Sequence, residues 1–181
     1  MKCITTKLPG VLILEPKVFG DQRGFFYESF NAKTFQELTG VDTAFVQDNH
    51  SLSQHGVLRG LHYQIQHPQG KLVRVVRGEV FDVVVDIRRS SPSFGFWDAY
   101  YLSAKNKRQV WIPPGFAHGF YVLSDNAEFL YKTTDYYYPE HERCIAWDDK
   151  QIDITWPLSG EPSVSDKDNR GLPLSKAELF D

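Results

Sequence analysis

Lys71-Leu-Val-Arg-Val-Val-Arg77-Gly78-Glu79-Val-Phe-Asp-Val-Val-Val-Asp86 reads as two β-strands around a tight turn. Gly78 supplies the turn, and the flanking runs are rich in β-branched residues. After the turn, Phe81, Val83 and Val85 alternate with Asp82, Val84 and Asp86. One face of that strand is therefore apolar, and the other carries two carboxylates. Asp82 and Asp86 face either solvent or a polar barrel interior.

The same pattern spreads outward along the chain. Short β-type runs separated by Gly, Pro, Asn or Asp are expected over 11–15, 25–30, 44–51, 57–64, 71–76, 79–87, 96–102, 109–112, 119–123, 129–137 and 144–147. One helix interrupts them: Asn31 caps residues 32–38 and Gly40 closes it. A second is expected at the end of the chain, where Ser175 and Glu178 have capping-box spacing. Many strands with almost no helix between them predict an all-β sandwich or barrel. Residues 1–181 form one unit, with the polar, Pro/Gly-rich stretch after Pro157 lying on the barrel as a C-terminal arm over 157–181.

A chain of 181 residues can bury a sizeable core without staples. Lys plus Arg number 20 and Asp plus Glu 23, a net charge of −3, which argues against a general nucleic-acid binder. A small anionic ligand needs only a few basic residues and stays open. The early apolar run Val11–Leu14 stops at Glu15-Pro16, too short for a membrane span. Cys3, in a terminus expected to fray, and Cys144 do not make a disulfide framework, so a reduced cytoplasm is expected.

Two motifs carry chemistry. Gly56-Val-Leu-Arg59-Gly60-Leu-His62-Tyr-Gln64 and Pro113-Pro-Gly115-Phe-Ala-His118 resemble the paired motifs of the cupin superfamily. That resemblance implies a cupin-type double-stranded β-helix, or jelly roll, with one or two short peripheral helices. Metal-binding cupins place two His one residue apart in the first motif and a third in the second. Here His62 and His118 are present, but Gln64 stands where the second His belongs. Two imidazoles and an amide fall short of a transition-metal donor set, so no metal or other cofactor is expected. His62 is then available as an acid or base. Arg23, Arg59 and Lys71 lie in or beside apolar strands, which suggests an anionic ligand. Tyr131 and Tyr137 share strand parity and can point into one cavity. Strict alternation separates Arg59 from His62, unless Gly60 hosts a bulge that re-aims one of them.

At a finer level, Asp21-Gln-Arg23-Gly24-Phe-Phe26-Tyr-Glu28, Gln47-Asp48-Asn49-His50-Ser51, Leu58–Gln64, Lys71–Arg74, Val110–Phe120, Tyr131–Tyr137 and Pro139–Glu142 resemble the dTDP-4-dehydrorhamnose 3,5-epimerase family. The match runs in order from about Gly10 to Asp168. It implies a dTDP-4-ketosugar substrate, epimerised at carbons 3 and 5 in dTDP-rhamnose biosynthesis. It also implies a homodimer, in which Arg23 and Glu28 serve either their own site or the partner's. By the same resemblance His62 is similar to the family's base, Tyr131 to its acid, Asp168 to the carboxylate paired with the base, and Lys71 to the group facing the keto oxygen. Arg23, Phe26, Glu28, Gln47, Asp48, Asn49, Arg59, His118, Glu142 and Lys167 fall on its ligand-contacting positions, and Tyr137 on its thymine-stacking position. The alternatives are a 3- or 5-epimerase acting on a related dTDP-4-ketosugar, a metal-dependent cupin oxygenase, and a non-catalytic sugar-binding cupin.

Overall fold

The computed structural model describes residues 1–181. Its strands are β1 (Lys2–Thr5), β2 (Leu12–Glu15), β3 (Phe19–Asp21), β4 (Gly24–Phe26), β5 (Gln47–Gln54), β6 (Leu58–Gln64), β7 (Lys71–Arg77), β8 (Glu79–Asp86), β9 (Trp97–Ser103), β10 (Gln109–Ile112), β11 (Phe116–Val122), β12 (Asn126–Thr133) and β13 (Glu142–Cys144). The helices are α1 (Ala32–Thr39) and α2 (Asp166–Asn169).

Gly78 forms the corner between two sheets. Its φ is +74°, and a Cβ there would lie 2.0 Å from the Asn126 carbonyl oxygen, so only glycine fits. Before the corner, β7 belongs to a six-stranded sheet ordered β1-β2-β10-β7-β12-β5. After it, β8 enters a five-stranded sheet ordered β13-β6-β11-β8-β9. All of these pairings are antiparallel. The two sheets face each other as a jelly roll, and a separate β3–β4 hairpin stands outside them.

Three apolar clusters hold the layers together. Between the sheets lie Val73, Val75 and Phe129 from one side and Val80, Val84 and Phe120 from the other. At roughly 1.5–3 kcal/mol for each fully buried large side chain, this layer is the main source of cohesion. On the outer face of the six-stranded sheet, Phe35 of α1 packs on Leu14, Leu72 and Trp111. On the outer face of the five-stranded sheet, Phe81, Val83 and Val85 meet Ile152, Leu174 and Ala177, with Trp156 and Phe180 packed alongside. Both faces of β8 are therefore covered. Asp82 and Asp86 are fully buried, which answers in favour of the interior.

The helix expected after Asn31 is present. The Asn31 side chain accepts from the Thr34 N–H, and Gly40 closes α1 at φ +70°. Elsewhere tertiary packing overrides the local signals. The N-terminus does not fray, because β1 pairs with β2 and sets Cys3 opposite Leu14. Phe25–Phe30 is strand only through Phe26. The strand expected to reach Tyr137 ends at Thr133, so parity does not relate Tyr131 to Tyr137. No terminal helix follows Ser175. Only a 3₁₀ turn, Leu174–Lys176, forms there, because Phe180 is drawn back to bridge Arg88. The capped helix of this region is α2, where the Ser165 hydroxyl accepts from the Asp168 N–H.

Asp86 accepts hydrogen bonds from Arg88 Nε at 2.9 Å, Arg88 Nη2 at 2.7 Å, Ser91 Oγ at 2.6 Å and Ser93 Oγ at 2.7 Å. Burial pushes its pKa up, but the Arg88 guanidinium and the two hydroxyls prevail and bring it down to about 2. A depressed carboxylate stabilises the fold above its unfolded pKa, and that stability is lost as pH falls through the folded value. Asp86→Asn should therefore destabilise the protein at pH 7 by on the order of 2 kcal/mol. The gap from wild type should close as denaturation midpoints are followed from pH 4 down toward 2.

Candidate active site

The site begins with a slip in register on β6. His62 lies opposite His118 and Arg59 opposite Phe120, so three steps of β6 match two of β11. The extra residue falls at Gly60–Leu61. Gly60 has φ +123°, and a Cβ on it would come within 2.6 Å of the Gly119 α-carbon. This is the bulge that alternation required, and it brings Arg59 and His62 to one cavity. The cavity measures about 390 Å³ and opens between the sheets. Gln47, Asn49, Lys71 and Tyr131 reach it from the six-stranded sheet, His62 and His118 from the five-stranded one.

His62 Nε2 is hydrogen-bonded to Asp168 Oδ1. Burial pushes the Asp168 carboxyl up, but the bond to His62, the imidazole charge and the Ser165 hydroxyl hold it below the ordinary carboxylate range. An ionised Asp168 accepts a hydrogen bond from the His62 Nε2–H, which leaves Nδ1 as the acceptor of this cavity-lining ring. Lys71 Nζ donates to the His62 carbonyl at 3.5 Å. Burial lowers the Lys71 ammonium to about 8, against the upward pull of the Glu142 and Asp82 carboxylates. Burial, then the Glu142 charge, raises the Tyr131 hydroxyl, so it stays protonated and can donate. Deeper in, His118 Nε2 meets Asp82 Oδ2 at 2.8 Å, while Asp82 Oδ1 has no hydrogen-bond partner.

The mouth is a second network. Glu142 accepts from the Tyr137 hydroxyl at 2.8 Å and from Lys167 Nζ at 2.8 Å. Burial, then the bond to Glu142 and its charge, pushes the Tyr137 hydroxyl up to about 12. The Tyr137 N–H donates to Gln47 Oε1 at 3.0 Å. Behind this stands Gln64, buried at the position where a metal-binding cupin carries histidine. Its Nε2 donates to the His67 carbonyl at 2.7 Å and the Tyr136 carbonyl at 3.1 Å, and its Oε1 accepts from the Tyr138 N–H at 2.9 Å. The amide thus ties together the two loops that frame the entrance. An imidazole backed by a carboxylate, an ammonium, a protonated phenol and a basic rim together suit proton transfer on an anionic, carbonyl-bearing ligand.

The family model for dTDP-4-dehydrorhamnose 3,5-epimerase matches residues 5–176. The chain belongs to this family. It is 59% identical over 180 residues to the dTDP-4-dehydrorhamnose 3,5-epimerase of Pseudomonas aeruginosa, with 99% of each chain covered. Among solved structures, the Legionella pneumophila epimerase in complex with dTDP-4-keto-L-rhamnose superposes with a TM-score of 0.97 at 56% identity, covering 99% of this chain and 97% of the other. ChmJ, a 3′-monoepimerase from Streptomyces bikiniensis in complex with dTDP-quinovose, superposes at 0.89 and 34% identity, covering 97% and 88%.

Ten of the residues singled out in this epimerase-family sequence line the cavity: Gln47, Asn49, Arg59, His62, Lys71, His118, Tyr131, Tyr137, Glu142 and Lys167. Asp168 stands directly behind His62. Four lie apart. Asp48 alternates with Gln47 and Asn49, so its side chain points to the opposite face of β5 and pairs with Lys132 at 2.9 Å. Arg23 and Phe26 belong to the exposed β3–β4 hairpin, where Arg23 pairs with Asp21 at 2.6 Å. Glu28 follows the hairpin and accepts from Asn31 Nδ2 at 3.2 Å. Within one chain these four do not join the cavity. Gln64 was visible in the sequence only as a missing metal ligand, and Asp82 only as one of two carboxylates on an undecided face.

Two outcomes follow from this geometry. Gln64→Ala should raise the amide hydrogen-exchange rate at Tyr138 about tenfold, the loss of one hydrogen bond's net worth, with smaller changes in the barrel strands. A solution NMR titration of the Lys71 side chain should place its midpoint near 8, below that of the surface lysines, with the ammonium charged on the acid side.

Proposed function

We propose that this chain inverts carbons 3 and 5 of dTDP-4-dehydro-6-deoxy-D-glucose, yielding dTDP-4-dehydro-L-rhamnose for dTDP-rhamnose biosynthesis. The observation that carries the reading is the meeting of His62, Lys71 and Tyr131 in one cavity with Asp168 behind His62. Carbons 3 and 5 flank the carbonyl at carbon 4. Their protons are removable because the electron pair left behind delocalises into that carbonyl as an enolate. His62 takes the proton, and Asp168 holds its tautomer and stabilises the imidazolium. The Lys71 ammonium stabilises the enolate oxygen, an interaction of a type often worth ~3–4 kcal/mol. Tyr131 gives a proton to the opposite face, which inverts the centre; solvent then re-protonates Tyr131 and takes the proton from His62 before the second centre reacts. Substrate and product are isomers, so the reaction transfers no net electrons.

Tyr137 offers an aromatic face to the thymine, and Arg59 charge-assisted hydrogen bonds to the diphosphate. A homodimer completes the site in this reading. The β3–β4 hairpin presents Arg23 beside the exposed Phe19, Phe25 and Phe26, an apolar patch suited to burial against a second copy. Arg23, Phe26 and Glu28 would then act in the partner's cavity. No helix is long and apolar enough to cross a membrane, and the unpaired Cys3 and Cys144 suit a reducing cytoplasm. Inversion of one centre only is the second reading, favoured by the likeness to a 3′-monoepimerase at a TM-score of 0.89.

Proton NMR of the ketosugar with the enzyme in heavy water separates these readings. Deuterium is expected at both carbons; label at one alone would establish the monoepimerase. His62→Ala should abolish both exchanges while dTDP still binds. Tyr131→Phe should keep exchange but lose inverted product. As pH rises through about 8, turnover should fall, because Lys71 loses the charge that holds the enolate; a flat profile to pH 10 would remove Lys71 from that role.

A further inference from the structure

Cys144 has no part in the proton transfers, yet its thiol stands beside an imidazole and a carboxylate. It pairs across the β13–β6 ladder directly with His62, so the two side chains project from the same face as neighbours. Its Sγ lies 3.9 Å from Asp168 Oδ1, on the carboxylate oxygen that already engages His62. One nitrogen, one sulfur and one oxygen donor thus fall within 4.8 Å of one another. A tetrahedral zinc ion holds such donors roughly 3–4 Å apart, so small side-chain adjustments close the set. The three come from different elements that are fixed independently: β13, β6 and the capped α2. Cys144 also lines a surface cavity of about 380 Å³ that shares Glu142 and Lys167 with the substrate cavity, so the thiol can be reached from outside the barrel.

We propose that His62, Cys144 and Asp168 form an inhibitory site for a thiophilic divalent cation of the zinc class. A mixed imidazole, thiolate and carboxylate set favours zinc or cobalt over magnesium or calcium, which prefer all-oxygen shells. Water fills the fourth position. On binding, the thiol proton leaves to solvent, and the imidazole proton moves from Nε2, now bound to metal, to Nδ1. That nitrogen then carries a proton and cannot accept one from substrate. Asp168 is consumed as a ligand at the same time. The ion therefore disables the base without occupying the sugar cavity, and the enzyme works best without it.

The test uses the full-length, metal-free protein with cobalt(II) chloride as the optical probe and zinc chloride as the inhibitor. Cobalt should give a near-ultraviolet thiolate-to-metal charge-transfer band that persists in Cys3→Ser and disappears in Cys144→Ser. Zinc should inhibit the wild type reversibly, with activity restored by a chelator. Removing a direct ligand should raise the half-inhibitory zinc concentration in Cys144→Ser at least about tenfold. The absence of the band in wild type, its survival in Cys144→Ser, or equal zinc sensitivity of the two proteins would overturn the proposal. Cys144→Ala is the substitute if the serine variant does not fold. The cobalt band is independent of whether His62 is the base, so its failure is distinct from failure of the epimerase reading.

Discussion

Charge inside an apolar barrel must be paired, and the site is organised by that constraint. Lys71, Asp82, His118, His62 and Asp168 lie within or against a cavity whose inner walls include Phe120 and Phe129. An isolated ion in such a place costs several kcal/mol. Each member here has a counter-charge or a polar partner: His118 on Asp82, His62 on Asp168, and Lys71 near the Glu142 and Asp82 carboxylates. The same pairing shapes the chemistry. A lysine lowered to about 8 remains charged at neutrality yet is far less solvated than a surface lysine. A histidine backed by an ionised carboxylate is held in one tautomer, with its other ring nitrogen left as an acceptor. The low dielectric around the cluster strengthens each pairing and makes an unpaired member costly.

Much of this was legible from local sequence. Asn31 and Gly40 marked α1, and the run from Gln109 to Ile112 became β10 with the expected bounds. The Arg59/His62 conflict even located the bulge at Gly60, because a two-residue period cannot bring both side chains to one cavity. The unread parts depend on distant partners. Alternation could not choose a face for Asp82, since the outer face of β8 is also covered, by the C-terminal arm. Lys2–Thr5 became a strand only because β2 offered it an edge. The family positions on the β3–β4 hairpin described a residue set without saying which chain's cavity it serves, and Asp48 lay one residue out of phase with its neighbours.

Gln64 shows how one substitution redirects a scaffold. At this position a metal-binding cupin would aim an imidazole at an ion. Here the side chain has turned to three backbone groups of the entrance loops, and its donors and acceptor are spent there. A group removed from metal ligation has become a brace for the segment that carries Tyr137. His62, two residues earlier on the same strand, is hydrogen-bonded to Asp168 instead.

Asp168 belongs to the segment that follows the last barrel strand, whereas His62 sits in the middle of the chain. Translation proceeds toward the C-terminus, so every strand of the jelly roll emerges from the ribosome before the carboxylate that pairs with His62. A nascent or clipped molecule can therefore hold every barrel strand while His62 lacks its carboxylate partner. The arm docks through Leu174 and Phe180 on the outer face of the five-stranded sheet, so the pairing of His62 depends on a segment outside the barrel strands.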